Sequence, residues 1–485
     1  MNIAYQLELR PPLSTVYGPS DYMEFRSQLE QIDRLLQKSG AEERFIMDFI
    51  RRNESYATRI PFLSTALRTQ ILLHLTNESY RTLAYRLADS ELFRWFIGVN
   101  VLDGVKTPSK STIHRMEHLW SAEEIAALIH EINKTVSDSQ QSKELLHCDT
   151  AIEMKELYAD STCVKANIHY PVDWLLLRDA VKSLIGSIKL IRKQGILHRM
   201  TEPGSILKEV NRLSIAMTRS SRNRAAKKER KRIFRRMKKL LKTVNRHAGR
   251  YYDILNENWS KTDWSEKQAA QVLNRMSNVM EQIPAIIDIA HKRIISEKKA
   301  DNAEKILSLY EKNVHVIKRG KMDAEVEFGN GFYLAEQKDG IIVDWDFFKD
   351  RPPSDTQIVK ESIERIRKRH SLTSYATDRG FNSKQNDKLL ESKSIFNATC
   401  PRNCAELSIK MKDENFRNAQ KRRAQTEGRI GIFKNKFIGG KIMRKGYDNR
   451  ESKILWSIFT HNVWVIARIV NENYQKKIEE QSQAA

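Results

Sequence analysis

Arg423, Glu427 and Lys434 lie in the segment Arg-Ala-Gln-Thr-Glu-Gly-Arg-Ile-Gly-Ile-Phe-Lys near the C-terminal end of the chain. On an α-helix these positions, i, i+4 and i+11, share one face. Two acids precede them in matching apolar settings: Asp160 follows Leu157-Tyr158-Ala159, and Asp378 follows Leu372-Thr373-Ser374-Tyr375-Ala376-Thr377. Two carboxylates leaving strand ends and a third on a helix are what a two-metal phosphodiester site needs. Hard ions such as Mg²⁺ or Mn²⁺ take oxygen ligands, and a pair of them roughly 3.5–4 Å apart can activate the attacking oxygen and help the departing one. Asp160 is expected to bridge both ions, with Asp378 on one and Glu427 on the other. Lys434 and Arg423 are expected to grip flanking phosphates. That is the chemistry of cutting and joining DNA.

Each acid alone also has a plainer reading. A single Asp after a strand is usually a turn former or a helix cap, and Glu427 could be a surface carboxylate paired with Arg423. Asp149, Asp173, Asp344 and Asp346 compete for the same roles.

At 485 residues the chain can hold two or three domains, and its 40% hydrophobic content permits ample buried core. A formal net charge of +23 points to an anionic polymer as partner. The excess is uneven. From Arg219 to Arg250 nearly half the residues are Lys or Arg, and Glu229 is the one acid. Arg235, Arg236, Lys238 and Lys239 in this stretch are expected to clamp a DNA backbone; the alternative is a solvated helix face. The four cysteines, Cys148, Cys163, Cys400 and Cys404, complete no zinc set and read as reduced thiols. The N-terminus has no secretory pattern, and the apolar run Ile454 to Val470 is broken by Thr460, His461, Asn462 and Arg468. It reads as a buried helix, so a cytoplasmic, nucleoid-associated protein without membrane contact is expected.

Residues 1–150 read as helical. Leu67, Ile71, Leu72 and Leu75 have helical spacing, and Pro108-Ser109-Lys110-Ser111-Thr112-Ile113-His114-Arg115 looks like a turn into a capped helix. Short helices with tight turns suit a helix-turn-helix reader, or a plain helical bundle. Lys110 and Arg115 are the expected DNA contacts there. A strand surrounds Asp160, and a basic helical block fills 175–317. Strands return near Ala324, where Gly329-Asn330-Gly331 predicts the turn of a hairpin. Ile341 to Phe347, the approach to Asp378, and Ser394 to Ala398 read as further strands, with Ser354 or Asp355 capping the helix between. The expected class is mixed α/β, a sheet flanked by helices. The tail, 471–485, is polar, and Gln475 to Ala485 is expected to fray.

These motifs together resemble the DDE transposases of bacterial insertion sequences, the insertion-sequence-four/five-type group. Tyr158-Ala159-Asp160-Ser161-Thr162 is similar to the first-strand motif, and Glu327-Phe328-Gly329 resembles that group's hairpin. Thr377-Asp378-Arg379-Gly380-Phe381 resembles the second-acid motif, and Arg423-x3-Glu427-x6-Lys434 the third. Leu92 to Gly98 and Ser111 to Arg115 resemble the preceding helical domain. The family's tyrosine three residues before the arginine is replaced by Gln420.

The resemblance implies a ribonuclease-H-like catalytic core at 151–174 and 318–470, interrupted by a helical insertion at 175–317 and preceded by an all-helical DNA-binding domain at 1–150. It implies a transposase that binds the terminal inverted repeats of a mobile element and catalyses cleavage and strand transfer with two Mg²⁺ or Mn²⁺ ions. Asp160, Asp378 and Glu427 would be catalytic, Arg379 would join the DNA contacts, and a homodimer on double-stranded DNA would be the working form. A metal-dependent nuclease without strand transfer, or a catalytically silent DNA-binding relative, shares the same features.

Overall fold

A computed structural model describes residues 11–99, 105–146, 151–169, 172–200, 202–220, 224–301, 304–321 and 324–484. The chain divides into two compact units, 1–165 with 330–485, and 166–329. Both are rich in helix, and the class is mixed α/β.

The first unit opens with helices α1 (Ser20–Lys38), α2 (Ala41–Arg52), α3 (Ile60–Thr76), α4 (Tyr80–Asp89), α5 (Glu91–Ile97), α6 (Lys110–Glu117), α7 (Ala122–Ser137) and α8 (Ser139–Leu146). Serines start four of them. The side chains of Ser79, Ser90, Ser109 and Ser121 each accept the amide three residues on, which satisfies one orphan N–H at each start. Strand β1 (Glu156–Lys165) follows. The chain then enters the second unit through α9 (Asp173–Lys193), α10 (Pro203–Arg219), α11 (Arg224–Asn258), α12 (Glu266–Met280), α13 (Ile283–Ile294) and β2 (His315–Lys321). Strand β3 (Ala324–Glu336) crosses the boundary. The first unit resumes with β4 (Ile342–Phe347), α14 (Asp355–Arg367), β5 (Ser374–Ala376), α15 (Lys384–Ser392), β6 (Phe396–Asn397), α16 (Cys404–Lys410), α17 (Glu414–Ile432) and α18 (Tyr447–Ala484).

In the first unit the strand order is β3-β1-β5-β6, with β4 also paired to β3. β1, β5 and β6 run parallel, and β3 and β4 antiparallel. The N-terminal helices and the sheet share one apolar core, from Leu29 through Leu157 and Tyr375 to Val470. Helix α18 is its centrepiece. Ile454, Trp456, Ile458, Phe459, Val463 and Ile466 are all buried, the signature of a helix covered on every side. Its Asn462 amide donates to the Ile342 carbonyl of β4 at 2.8 Å and to Asn133 Oδ1 of α7 at 3.1 Å, while Asn462 Oδ1 accepts the Ile342 amide at 2.9 Å. A buried polar group so fully paired fixes one register of helix on sheet. No helix among the described residues is long and apolar enough to cross a membrane.

Two expectations are corrected. Gly329-Asn330-Gly331 is not a turn; it lies inside the continuous strand β3. A Cβ at Gly331 would stand 2.7 Å from Pro352 Cβ and 3.2 Å from Phe348 Cδ2, so glycine is there for close approach. Asn330 is wholly buried and donates to the Phe348 carbonyl at 2.8 Å. The real reversal after β3 is at Gly340, whose φ of 102° only glycine adopts without strain. The polar tail also does not fray at 475, because α18 runs on to Ala484 through the helix-favouring Gln475-Lys476-Lys477 and Glu479-Glu480.

In the second unit α9–α13 surround a separate core that includes Val181, Leu184, Ile185, Ile188, Met237, Leu241, Val244 and Met276. β2 pairs with the first half of β3, Val316 opposite Phe328.

Packing at Gly331 gives a matched test. Gly331→Ala should cost about 1–3 kcal/mol by overpacking. Gly431→Ala, in α17 where nothing lies within 4 Å of the new Cβ, should instead stabilise by up to about 1 kcal/mol. Urea unfolding of the two variants against the parent reads both signs.

Candidate active site

Parallel pairing sets the two aspartates level. Leu157 is opposite Tyr375 and Tyr158 opposite Ala376, so Asp160 and Asp378 each stand two residues past the last registered pair. Asp160 lies within β1, inside the strand read around it rather than leaving its end, because the strand continues through buried Thr162, Cys163 and Val164. Asp160 and Ser161 are the half-exposed break in that otherwise buried run.

Beyond β5 the chain turns through a short 3₁₀ segment, Arg379–Phe381, and Asp378 caps it, Oδ1 accepting the Gly380 amide at 2.8 Å. A fourth acid enters here. Sequence reasoning treated Asp355 as a possible helix cap, but Ser354 is the residue ahead of α14, and its amide donates to Gln357 Oε1 at 3.0 Å. Asp355 is free to face elsewhere: its Oδ1 accepts Ser161 Oγ at 2.7 Å. A Cβ at Gly380 would fall 2.9 Å from Asp355 Oδ2 and 3.0 Å from Asp378 Oδ1, so that glycine leaves a cradle between two carboxylates. Among the described residues no Lys, Arg or His forms an ion pair with Asp355.

Helix α17 is held to the sheet by its back. Arg422 donates to Glu336 Oε1 at 2.9 Å and to the carbonyls of Gln337 and Lys338, Thr426 donates to Glu336 Oε1 at 2.9 Å, and Arg429 reaches the Lys338 carbonyl at 3.0 Å. Glu336 is buried at the end of β3. With positions 422, 426 and 429 thus anchored, 423, 427 and 434 are turned toward β1. Arg423 Nη2 lies 3.4 Å from Asp160 Oδ2, and Lys434 Nζ lies 3.3 Å from Thr162 Oγ1. Lys434 sits on a π-helical turn, Phe433–Ile438, that continues α17. Gln420 donates to the carbonyls of Thr377, at 3.1 Å, and Ala398. It pins the helix to the ends of β5 and β6.

The acids feel one another. Burial pushes the Asp160 carboxyl up to about 6, and the negative charge of Asp378, with a smaller push from Glu427, adds to it. Arg423 and the Ser161 amide pull the other way. Asp355 is also raised, by burial and then by Asp378 against the Ser161 hydrogen bond. The donors are hard oxygens gathered around a cradle, which suits Mg²⁺ or Mn²⁺ in kind. Among the described residues no group of three or more His, Cys, Asp or Glu side chains is placed to hold a metal ion.

The competing acids have other partners. Asp173 pairs with Arg293 at 2.9 Å, and Asp344 and Asp346 share Arg365 at 2.8 and 2.9 Å. Asp149 and Cys148 lie outside the described residues. Cys163, Cys400 and Cys404 form no disulfide among the described residues. Arg379 is exposed beside Asp378, and Arg402 holds the carbonyls of Arg379 and Gly380 at 3.1 Å. Lys110 and Arg115, exposed on α6, line a concavity of about 770 Å³ with Tyr80, Ser111 and His114. Arg235, Arg236, Lys238 and Lys239 lie on α11 of the second unit.

A raised carboxyl is a cost to the fold. Between about pH 4 and 6 the folded form keeps an Asp160 proton that the unfolded chain has lost, so stability falls as pH rises through this window. Asp160→Asn should therefore raise stability at pH 7 in EDTA by up to about 2–3 kcal/mol. The gain should vanish near pH 4. Thermal melts of both proteins at the two pH values check it.

Compared with known protein families, curated proteins and solved structures, the chain matches none of them, so its reading stands on its own residues and geometry.

Proposed function

We propose that the first unit is a ribonuclease-H-like core that cuts and joins DNA, acting as a DDE-type transposase on the ends of a mobile element. The observation that carries this reading is the level placement of Asp160 and Asp378 by the β1–β5 register, with the Glu427 face of α17 set against the same strand. Parallel β1, β5 and β6 beside antiparallel β3 and β4 support that fold. A surface ion pair alone would not set half-buried Asp160 and Asp355 against the charge of Asp378.

Two divalent ions, when bound, would supply an activated oxygen nucleophile and charge stabilisation at the scissile phosphate. Asp160, Asp378 and Glu427 would hold them, and Asp355 joins this set or orients it through Ser161. Asp160 must shed its proton to serve as a ligand, and Arg423 favours that ionised form. Arg423 and Lys434 then offer positive charge at either end of the acidic row, where the flanking phosphates of a DNA strand would lie. Gly380 keeps the space between Asp355 and Asp378 open. Arg379, exposed next to Asp378, and Lys110 with Arg115 on α6 are further DNA contacts in this reading. A homodimer would bring two element ends together.

Purified protein with end-containing duplex and Mg²⁺ or Mn²⁺ tests it directly. Asp160→Asn, Asp378→Asn and Glu427→Gln should each lower cleavage at least about 10²–10³-fold. Asp355→Asn should lower apparent metal affinity about 10–100-fold. Equal product from the parent and Asp160→Asn would sink the assignment. A labelled 3′ end joined to plasmid DNA separates transposition from simple nuclease action, and tight end binding without cleavage under any divalent ion would favour a silent DNA-binding protein.

A further inference from the structure

The second unit carries a feature that the carboxylate site does not use. Helix α11 is two-faced. Ile233, Phe234, Met237, Leu240, Leu241, Val244 and Ala248 are buried in the unit's core. On the outside, Arg235, Lys238, Lys239, Lys242, Thr243 and Arg246 line a shallow concavity of about 490 Å³. These positions fall within an arc of about 140° at 100° per residue.

Neutralisation along the helix is selective. Lys227 and Lys231 both pair with Glu297 at 2.9 Å, Arg232 with Glu229 at 3.0 Å, and Arg236 with Glu209 at 2.7 Å. Arg235, Lys238, Lys239, Lys242 and Arg246 have no acidic partner among the described residues. The sequence-based choice of Arg236 as a DNA contact is therefore weakened by Glu209, while Lys242 and Arg246 were missed because nothing in the basic run separates paired from unpaired cations.

We propose that this row of five cations is a binding surface for the phosphodiester backbone of duplex DNA. Arg235 to Arg246 spans about 16 Å of helix axis, and one DNA strand presents a phosphate every 3.4 Å or so, about five over that length. Membrane binding would need apolar side chains beside the cations, and on α11 those are turned into the core. The Thr243 hydroxyl and the mixture of Arg and Lys suit phosphate oxygens. The surface is sequence-neutral, because all its groups address the backbone.

The test is fluorescence anisotropy of the full chain with a labelled 30-base-pair DNA duplex over a series of KCl concentrations. The variant R235Q/K238Q/K239Q/K242Q/R246Q should lower the slope of log K against log salt by about 4–5, near 0.9 per phosphate contact. K238Q/K239Q/K242Q should lower it by about 2–3, and R232Q/R236Q should change it far less. All substituted residues are at the surface, and circular dichroism of each variant verifies the fold. The titrations are run in EDTA, where the carboxylates hold no divalent ion, so failure of the carboxylate assignment would leave this result standing. An unchanged slope in the five-site variant would overturn the proposal. So would a loss confined to an RNA duplex, or to vesicles containing phosphatidylserine, with DNA binding intact.

Discussion

Everything at the carboxylate site depends on the parallel alignment of β1 with β5. Three registered residue pairs, ending at Tyr158 and Ala376, decide that two aspartates 218 positions apart in sequence emerge at one level. A slip of one residue would turn every side chain of β1 to the opposite face. The slip is resisted by buried Leu157 and Tyr375 and by the Tyr375 hydroxyl, 2.7 Å from that of Tyr333 on β3. Tyr333 in turn meets Ser362 of α14 at 2.7 Å, so the helix bearing Asp355 is tied to the same register. One hydrogen-bonded chain of hydroxyls thus links β5, which leads into Asp378, through β3 to the helix that carries Asp355.

The back of α17 performs the complementary task. Buried Glu336 would be costly alone, since burial raises its carboxyl and disfavours the charge. Arg422, Arg429 and Thr426 satisfy it, and Arg422 also lies over the Tyr158 ring at 4.6 Å. The pairing sets the rotation of the helix about its axis, which is the variable that decides whether Glu427 faces the strand or the solvent. A single buried carboxylate therefore aims an exposed one.

Much of this was legible in the sequence because it is written in local spacing. The 423, 427, 434 pattern, the apolar approaches to Asp160 and Asp378, the capped helix start at Ser109 and the two-faced α11 all follow from periodicity and residue type. What escaped depends on contacts between distant segments. Asp355 acquires its role from Ser161, 194 residues away, and before folding it looks like any acid at a helix start. Gly329-Asn330-Gly331 has the chemistry of a turn, yet Pro352 and Phe348 decide that it is a place of close packing. Gln420 looked like a missing tyrosine and is instead a clip on two strand ends.

The two cations on α17 carry a constraint of length. Arg423 and Lys434 are separated by about 16 Å along a helix axis, whereas the atoms they meet belong to Asp160 and Thr162, about 7 Å apart on one face of a strand. The two side chains must lean toward each other to close that difference of about 9 Å. Only the two longest cationic side chains can lean so far, while Glu427 lies between them on the same helix. The motif is therefore a tapered arch, long residues at the feet and a shorter one in the span, and its spacing measures side-chain reach as much as helical phase.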